Sequence, residues 1–340
     1  MCSSDLFPEP VALTTVAAMV PEHEVKILDM RLEADTVFNE TLLSFRPQLV
    51  GTTSMTTDRY QAKALLTCTK QTLGRDCFPT VGGHHATFAP HDFEDADIDA
   101  LCIGEGDETF AELIQHLDGG GSFKDLSRID GLRYELPDGA WHSTKKRNQD
   151  RDLDTFPAPR RDLLPRRYRD EYFFAVAGPM ASMATSRGCS FDCNFCATWE
   201  FYEHKTRFLP AEKICDQIET MDEKVVFFLD DNFLTSKHRM LALADEMEKR
   251  GIKKWWGTQG RTDFVADHPD VMKTQYGRQE PQSGEDSARA RHHQHRHLYG
   301  AAGFFRAGLR RAPHRHTRVA SPRAASLPEQ RRDRKISIHR

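Results

Sequence analysis

The sequence contains no apolar run long enough to cross a membrane, and runs such as Val225 to Leu229 are among its longest. A membrane-spanning helix needs about 20 apolar residues, so the class of transmembrane proteins is excluded. A basic segment followed by an apolar stretch is also missing at the N-terminus, so we expect no secretory signal. The 340 residues carry a net charge of −4 and are 39% hydrophobic, which predicts a cytoplasmic protein of about two domains.

The cysteines do not form the pattern of a disulfide framework. The chain has eight cysteines, three of them in one short loop, which is typical of a protein in a reducing compartment. Four others lie in apolar contexts and are interpreted as small core residues: Cys68, Cys77, Cys102 and Cys215.

Cys189, Cys193 and Cys196 have a Cys-x3-Cys-x2-Cys spacing in a polar loop. Thiolates this close in sequence can converge on one soft metal centre, either zinc or an iron–sulfur cluster. A closed zinc site needs four protein ligands, so zinc would require a further ligand such as His204 or Cys215. A 4Fe-4S cluster held by three cysteines leaves one iron open for a small molecule. The loop therefore predicts a metal centre of one of these two kinds.

Residues 7–135 alternate between strand and helix patterns, which is typical of a parallel sheet covered on both faces. The expected strands are 24–30, 49–53, 78–82 and 100–104, and the expected helices are 35–45, 59–73 and 108–116. Ligands of such sheets bind at the carboxyl ends of the strands, where small and glycine-rich loops lie. The candidate binding residues in these loops are Ser54, Gly82, Gly83, His85, Gly104 and Gly106.

Residues 136–180 contain prolines and many charges, which predicts a linker. Acidic and basic residues are interleaved there, which favours a solvated linker over a nucleic-acid surface, so we expect no nucleic-acid partner. Residues 181–275 repeat strand, polar loop and helix, which predicts a (β/α) barrel with its chemistry on the loops after the strands. Polar residues follow two of these strands, namely Asp230, Asp231, Asn232, Gln259 and Arg261.

The composition changes after Met272. Residues 276–340 contain fourteen Arg and one Lys against five acidic residues, together with seven of the sixteen His. A basic, His-rich tail suggests RNA or metal binding. However, Arg, Ala, Pro and His dominate out-of-frame translation of GC-rich genes, so we expect a reading-frame slip and a disordered tail. Residues 1–6 are interpreted either as the end of a truncated gene fragment or as an ordinary disordered terminus.

The cysteine loop, with Phe195 directly before its last cysteine, resembles the signature of the radical S-adenosylmethionine (SAM) enzymes. This resemblance implies that Cys189, Cys193 and Cys196 bind a 4Fe-4S cluster whose open iron is chelated by SAM. It also implies that Phe195 lies against the SAM adenine. No catalytic side chain is assigned, because the cofactors carry the chemistry.

The same resemblance implies further contacts with SAM after the second and third strands of the barrel. The carboxylates of Asp230 and Asp231, with Asn232, suit the SAM amino group, although helix capping before Ser236 is an alternative role for any one of them. The resemblance also places Gln259 and Arg261 near the SAM ribose or carboxylate. An arginine side chain suits a carboxylate, because it can form two hydrogen bonds with it.

The loops at residues 82–87 and 104–109 resemble those of the cobalamin-binding domain that precedes many radical SAM domains. This resemblance implies that the six loop residues named above contact cobalamin. Two features of that family are missing: an apolar strand ending in Asn-Pro-Pro before Phe7, and the Asp-x-His-x-x-Gly motif that supplies an axial His to cobalt. The implied fold is α/β, with a Rossmann-like parallel-sheet cobalamin-binding domain at 7–135 followed by a partial, truncated radical SAM (β/α) barrel at 181–275.

This domain order resembles that of the class B radical SAM methylases, and residues 196–202, 229–234 and 258–264 are most similar to the hopanoid C-3 methylases. The resemblance implies methylation of an unactivated carbon in a lipid or other small molecule, a reductant such as flavodoxin or ferredoxin, and peripheral contact with a membrane. Three alternatives remain: another cobalamin-dependent radical SAM enzyme such as a tetrapyrrole ring cyclase, a non-catalytic zinc-binding protein, and an inactive fragment.

Overall fold

The computed structural model describes residues 6–95, 97–121, 126–174, 177–276, 301–306 and 335–339. The elements up to residue 174 are β1 (Leu6–Phe7), α1 (Val11–Ala18), β2 (Glu24–Leu28), α2 (Asp35–Phe45), β3 (Leu49–Thr53), α3 (Arg59–Leu73), β4 (Phe78–Gly82), α4 (His84–Phe88), β5 (Ala100–Cys102), α5 (Gly106–Asp118), β6 (Leu132–Glu135), β7 (Trp141–Ser143), α6 (Arg166–Arg169) and β8 (Phe173–Phe174). The later elements are β9 (Met180–Met183), β10 (Ser186–Arg187), α7 (Thr198–Phe201), β11 (Arg207–Phe208), α8 (Ala211–Glu219), β12 (Val225–Phe228), α9 (Lys237–Lys249), β13 (Trp255–Gly260), α10 (Thr262–Asp267), α11 (Pro269–Tyr276), β14 (Ala301–Arg306) and β15 (Lys335–His339).

The larger sheet has seven strands in the order β2-β15-β3-β4-β5-β6-β7. The first five strands in this order are parallel to one another. β6 pairs with β5, and β7 with β6, in the antiparallel direction. Leu49 of β3 packs in one core cluster with Leu13 of α1, whereas the next residue, Val50, packs with Phe38 of α2. Helices therefore cover both faces, as expected for a parallel sheet, and the predicted α/β class is confirmed.

The strand between β2 and β3 comes from the far end of the chain. In β15, Ile336 is in register with Val25 of β2 and Leu49 of β3, and it is buried together with Ile338. The prediction of a disordered tail is therefore wrong for residues 301–306 and 335–339, which form strands with paired backbone groups. Residues 277–300, 307–334 and 340 lie outside the described residues.

The smaller sheet has four strands in the order β14-β13-β12-β9. β12 is parallel to both of its neighbours, and all four of its residues, Val225–Phe228, are buried. Helices α8 and α9 bury Ile214 and Met240 in the core of this sheet. β14 pairs with β13 in the antiparallel direction. The three parallel strands agree with the expected partial (β/α) barrel. Within the described ranges, no helix is long and apolar enough to cross a membrane.

The segment predicted as a solvated linker is packed against the larger sheet. β7 extends this sheet beyond the expected boundary at residue 135. Leu164, Tyr168 and Tyr172 lie in the same core cluster as residues of α1 and α5. The prediction is wrong for these residues, because burying large apolar side chains stabilises the packed arrangement.

A buried acid connects the first residues of the chain to both later segments. Glu9 accepts a hydrogen bond from the Arg161 guanidinium at 2.6 Å and another from the Ser182 backbone N–H at 3.0 Å. Burial raises the pKa of Glu9 to about 7, although the charge of Arg161 opposes this shift. Because Ser182 lies in β9, these contacts tie the start of the chain and the connecting segment to the smaller sheet.

Replacing Ile338 with alanine is expected to lower the free energy of unfolding by about 2–4 kcal/mol, because the side chain is 2% exposed and its removal leaves a cavity. Leu43→Ala is the matched control, since Leu43 is 61% exposed on α2. Urea unfolding measures both variants. If Ile338→Ala and Leu43→Ala unfold at the same urea concentration as the wild-type protein, β15 does not occupy this place in the sheet.

Candidate functional site

The cysteine loop follows strands β9 and β10 in the chain. β9 leads into β10, which pairs with β11, and the loop starts directly after Arg187. Gly188 has φ +88, and a Cβ at this position would lie 2.1 Å from the Lys205 carbonyl oxygen. Glycine is therefore required at the entrance to the loop. The chain turns back within the loop through a hydrogen bond of 3.0 Å from the Cys196 N–H to the Cys193 carbonyl.

The three loop cysteines are free, partly exposed thiols. Burial raises the pKa of Cys189, and the nearby Asp231, Cys196 and Cys193 raise it further. The Arg261 guanidinium lies 3.4 Å from the Cys193 sulfur. Three thiols in one loop are chemically suited to an iron–sulfur cluster. Nevertheless, in the part of the chain that the structure describes, no group of three or more His, Cys, Asp or Glu side chains is arranged to hold a metal ion.

Asp230 has a different role from the predicted contact with SAM. Its carboxylate is fully buried and accepts hydrogen bonds from the backbone N–H groups of Thr185 at 2.5 Å and Ser186 at 3.1 Å, and from the Thr185 hydroxyl. The Arg239 guanidinium lies 3.3 Å from the same carboxylate. Donors of this chain therefore occupy both oxygens, and Asp230 fixes the backbone between β9 and β10.

The next two residues face the cysteine loop and the end of β13. Asp231 accepts hydrogen bonds from the Gly188 N–H at 3.0 Å and the Thr198 hydroxyl at 3.3 Å. The protein atoms packed around its carboxyl raise its pKa, although part of the residue contacts solvent. Asn232 accepts a hydrogen bond from the Arg261 N–H at 3.3 Å, while its buried Nδ2 has no partner among the described residues. Asn232 thus has a free donor for a ligand.

The alternative role of these residues as a helix cap belongs instead to Ser236. Its hydroxyl oxygen accepts a hydrogen bond from the Arg239 N–H at the start of α9. Capping by this residue leaves Asp231 and Asn232 available for another role.

Phe195 and Gln259 are the two remaining residues for which a contact with SAM is predicted. The Phe195 ring is 81% exposed, so one flat aromatic face is open to a ligand. Gln259 is half-buried in β13, and its carbonyl oxygen accepts a hydrogen bond from the Phe233 N–H at 3.1 Å. Asp231, Asn232 and Arg261 all lie beside the cysteine loop, and the Arg261 Nε and Nη2 are paired with Asp263.

The predicted cobalamin-binding loops lie along one edge of the larger sheet, because β3, β4 and β5 are adjacent and parallel. Gly83 has φ +96, and a Cβ there would lie 2.6 Å from the Thr53 hydroxyl oxygen. The Gly104 N–H donates to the Thr87 hydroxyl oxygen at 2.9 Å. Glycine residues 82, 83, 104 and 106 are all partly exposed at this edge.

Ser54 and His85 serve the loops from inside. Ser54 is fully buried, and its carbonyl oxygen accepts a hydrogen bond from the His85 N–H at 2.9 Å. The His85 ring pairs with the Thr56 hydroxyl at 3.2 Å and with the Asp92 carboxylate at 2.9 Å. Neither ring nitrogen of His85 is free for a ligand, so the structure gives it a positioning role in place of the predicted direct contact.

The edge of the larger sheet faces the cysteine loop. The ring of His84, the first residue of α4, stacks on the Phe201 ring of α7 at a centroid distance of 4.5 Å. Arg187 donates two hydrogen bonds to Asp107, at 2.6 and 3.0 Å. Its guanidinium is also 3.4 Å from Glu105. The two sets of candidate residues therefore lie next to each other, and we call the line along which they meet the crevice.

Several residues of this crevice were missed by reasoning from the sequence. Arg187 stands directly before the cysteine loop, and this adjacency was the only available signal. Arg239 is an ordinary polar residue of a helix in the sequence, yet it neutralises Asp230. Gln149 lies in a charged run but is buried, with Oε1 lacking a partner among the described residues. Nothing in the local pattern distinguishes it.

Comparisons with known proteins address the whole chain. Residues 3–114 match a family model described as the B12 binding domain. The chain is 29% identical over 271 residues to the hopanoid C-3 methylase of Methylococcus capsulatus, which covers 78% of this chain and 50% of the relative. It is 31% identical over 264 residues to an uncharacterised methyltransferase of Pyrococcus horikoshii, covering 75% of this chain and 55% of the relative.

A third relative is the anaerobic magnesium-protoporphyrin IX monomethyl ester cyclase of Rubrivivax gelatinosus, with 28% identity covering 67% of this chain and 41% of the relative. The chain spans about half the length of the curated relatives it matches. Among solved structures, the cobalamin-dependent SAM radical enzyme OxsB, with aqua-cobalamin and SAM bound, has a TM-score of 0.62 at 18% identity. The match covers 75% of this chain and 37% of OxsB, and it supports the fold.

Replacing Asp230 with asparagine is expected to lower the free energy of unfolding by about 3 kcal/mol or more in the absence of any ligand, because Arg239 loses its buried counter-charge. Asp216→Asn is the control, since Asp216 forms an exposed pair with Arg250 worth about 0–1 kcal/mol. Urea unfolding of both variants checks this. An Asp230→Asn protein of wild-type stability that binds SAM poorly would instead support the direct SAM contact predicted from the sequence.

Proposed function

We propose that this chain, which is related to the cobalamin-binding radical SAM methylases, binds a 4Fe-4S cluster, SAM and cobalamin and methylates an unactivated carbon. The observation that carries the proposal is the crevice, where the edge of the larger sheet meets the cysteine loop. His84 and Phe201 stack across this crevice at 4.5 Å, and Arg187 pairs with Asp107. Cofactors held at the two edges would therefore be neighbours.

In this proposal Cys189, Cys193 and Cys196 bind the cluster as thiolates, which requires the loop to draw the three sulfur atoms together. When bound, the cluster and SAM supply hydrogen-atom abstraction and cobalamin supplies the methyl group. The Arg261 guanidinium lies beside one of these ligands, 3.4 Å from the Cys193 sulfur. Asp230 contributes indirectly, because it fixes the backbone that leads into the loop.

SAM is proposed to lie over the carboxyl ends of β12 and β13. Asp231 supplies a carboxylate for the SAM amino group, and the unpartnered Asn232 Nδ2 supplies a donor for an oxygen of the ligand. Arg261 can make a paired contact with the SAM carboxylate if that carboxylate replaces Asp263, which now accepts hydrogen bonds from its Nε and Nη2. Gln259 contacts the ribose, and Phe195 offers its exposed ring to the adenine.

Cobalamin is proposed to lie over the carboxyl ends of β3, β4 and β5. Glycines 82, 83, 104 and 106 let the flat corrin approach the backbone closely. Ser54 and His85 act from the layer beneath and fix these loops. No side chain is assigned as a ligand of cobalt.

The exposed side chains near the crevice favour an apolar substrate. Phe88, beside Phe201, is 39% exposed, and Phe191, which packs against the Arg261 guanidinium, is 41% exposed. Exposed aromatic groups mark surfaces that bind apolar partners. The resemblance to the Methylococcus relative supports a pentacyclic hopanoid, methylated at C-3, as the substrate. The proposed setting is the reducing cytoplasm with peripheral contact to a membrane, where a flavodoxin or ferredoxin would supply electrons.

Two alternatives have weaker support. A tetrapyrrole ring cyclase would also act on a large apolar ring, and one relative carries that name. A zinc site would need a fourth ligand, but Cys215 is fully buried in the core below α8 and the His204 ring stacks on Trp199 at 5.0 Å. Neither residue is placed to complete a site with the loop.

Replacing Cys193 with alanine is expected to abolish cluster assembly, because the loop then keeps two of its three thiolate ligands. Cys68→Ala is the matched control, since this partly exposed cysteine lies on α3. Anaerobic reconstitution with iron and sulfide, followed by iron analysis and visible absorption, measures the effect. Retention of a full cluster by Cys193→Ala, or one zinc and no iron in the wild-type protein, would rule out the proposed cluster.

The substrate class is tested with the reconstituted protein, SAM, cobalamin and a chemical reductant. Incubation with a hopanoid is expected to give a product heavier by one CH2, whereas magnesium-protoporphyrin monomethyl ester is expected to remain unchanged. Mass spectrometry of both reactions measures this, and the Cys193→Ala protein provides the blank. Conversion of the porphyrin alone would assign the chain to the cyclase type.

A further inference from the structure

Gln149 is a buried polar side chain in the segment that connects the two sheets, and the proposed function leaves it without a role. The residue is 4% exposed, and its Oε1 accepts no hydrogen bond from the described residues. A buried carbonyl without a donor costs about 1–3 kcal/mol. The neighbouring residues Asn148 and Asp150 are exposed, so the burial is specific to Gln149.

The orientation of the Gln149 amide is determined by its neighbour. Its Nε2 donates to the Phe201 carbonyl oxygen at 3.4 Å. A carbonyl only accepts hydrogen bonds, so exchanging the amide nitrogen and oxygen would place two acceptors against each other. Nε2 therefore remains toward Phe201, and Oε1 is the atom left for another donor.

Gln149 lies where the cobalamin loop meets the end of α7. Its Nε2 is 3.5 Å from the position that a Cβ of Gly104 would take. Gln149 contacts the carbonyl of Phe201. The ring of Phe201 in turn stacks on His84, the first residue of α4. Gln149 is thus bordered by the loop after β5 and by the helix that follows the cysteine loop.

We infer that Gln149 is a binding residue for the corrin, with its Oε1 accepting a hydrogen bond from an N–H of a peripheral carboxamide. This inference rests on the proposed cobalamin site. Primary carboxamides surround the corrin ring, and each carries two N–H donors. Gly104, which has φ +79, has no side chain between the backbone of this loop and the Gln149 amide. The bond satisfies the buried carbonyl while Nε2 keeps its contact with Phe201.

The variant Gln149→Met tests this, because methionine has a similar length and no carbonyl. Titration of the purified protein with hydroxocobalamin, followed by visible absorption, gives the dissociation constant. We expect it to rise about 5- to 30-fold in Gln149→Met, as for the loss of one buried hydrogen bond. Asn148→Leu is the matched control, since it removes an exposed amide from the adjacent position, and it should bind like the wild-type protein.

Urea unfolding without cobalamin distinguishes a binding role from a structural one. The binding role predicts that Gln149→Met is about as stable as the wild-type protein, because removal of the carbonyl without a partner offsets loss of the long Nε2 bond to the Phe201 carbonyl. Lower stability with an unchanged dissociation constant would overturn the inference. Failure of the wild-type protein to bind hydroxocobalamin would overturn the proposed cobalamin site as well, whereas equal binding by wild type and Gln149→Met overturns this inference alone.

Discussion

The Arg187 guanidinium lies against Asp107 and Glu105. These ion pairs join the residue before the cysteine loop to the start of α5, a helix that packs on the larger sheet. Burial alone would raise the pKa of Asp107, but the charge of Arg187 holds it below its ordinary value. Both groups are therefore charged, and separating them would leave a buried charge without a partner. This constraint keeps the cysteine loop against the edge of the larger sheet, and the proposed chemistry depends on that proximity.

Acidic side chains in this fold divide between those that hold the chain and those that can meet a ligand. Asp230 is surrounded by donors of its own chain, including Thr185 and Arg239. Asp231, one residue later, contacts solvent and faces the cysteine loop. Because successive residues at a strand end point in different directions, the sequence predicts the group but not which member binds. Asp230 thus holds the backbone, while Asp231 remains available at the crevice.

Much of the larger sheet, with the helices that cover it, could be predicted from the sequence. The helices 35–45 and 59–73 and the strands 49–53 and 78–82 have the predicted bounds, because their periodicity is a local property. The packing of Tyr168 and the pairing of Arg187 with Asp107 could not be predicted, since they depend on contacts between residues far apart in the chain. The positions of the glycine-rich loops followed from strand order, whereas the internal roles of Ser54 and His85 required the structure.

The position of β15 shows why composition misled the interpretation of the tail. Ile336 and Ile338 fill one core of the sheet, while Ser337 and His339 point to the opposite face and bond to each other at 2.8 Å. Burial lowers the pKa of His339 to about 3, so this histidine is neutral at physiological pH and packs edge-on against Phe38. A segment from a basic, His-rich region can occupy a central strand because its alternating pattern suits both faces. Ser337 pairs with the His339 Nε2, whereas the buried Nδ1 has no partner among the described residues.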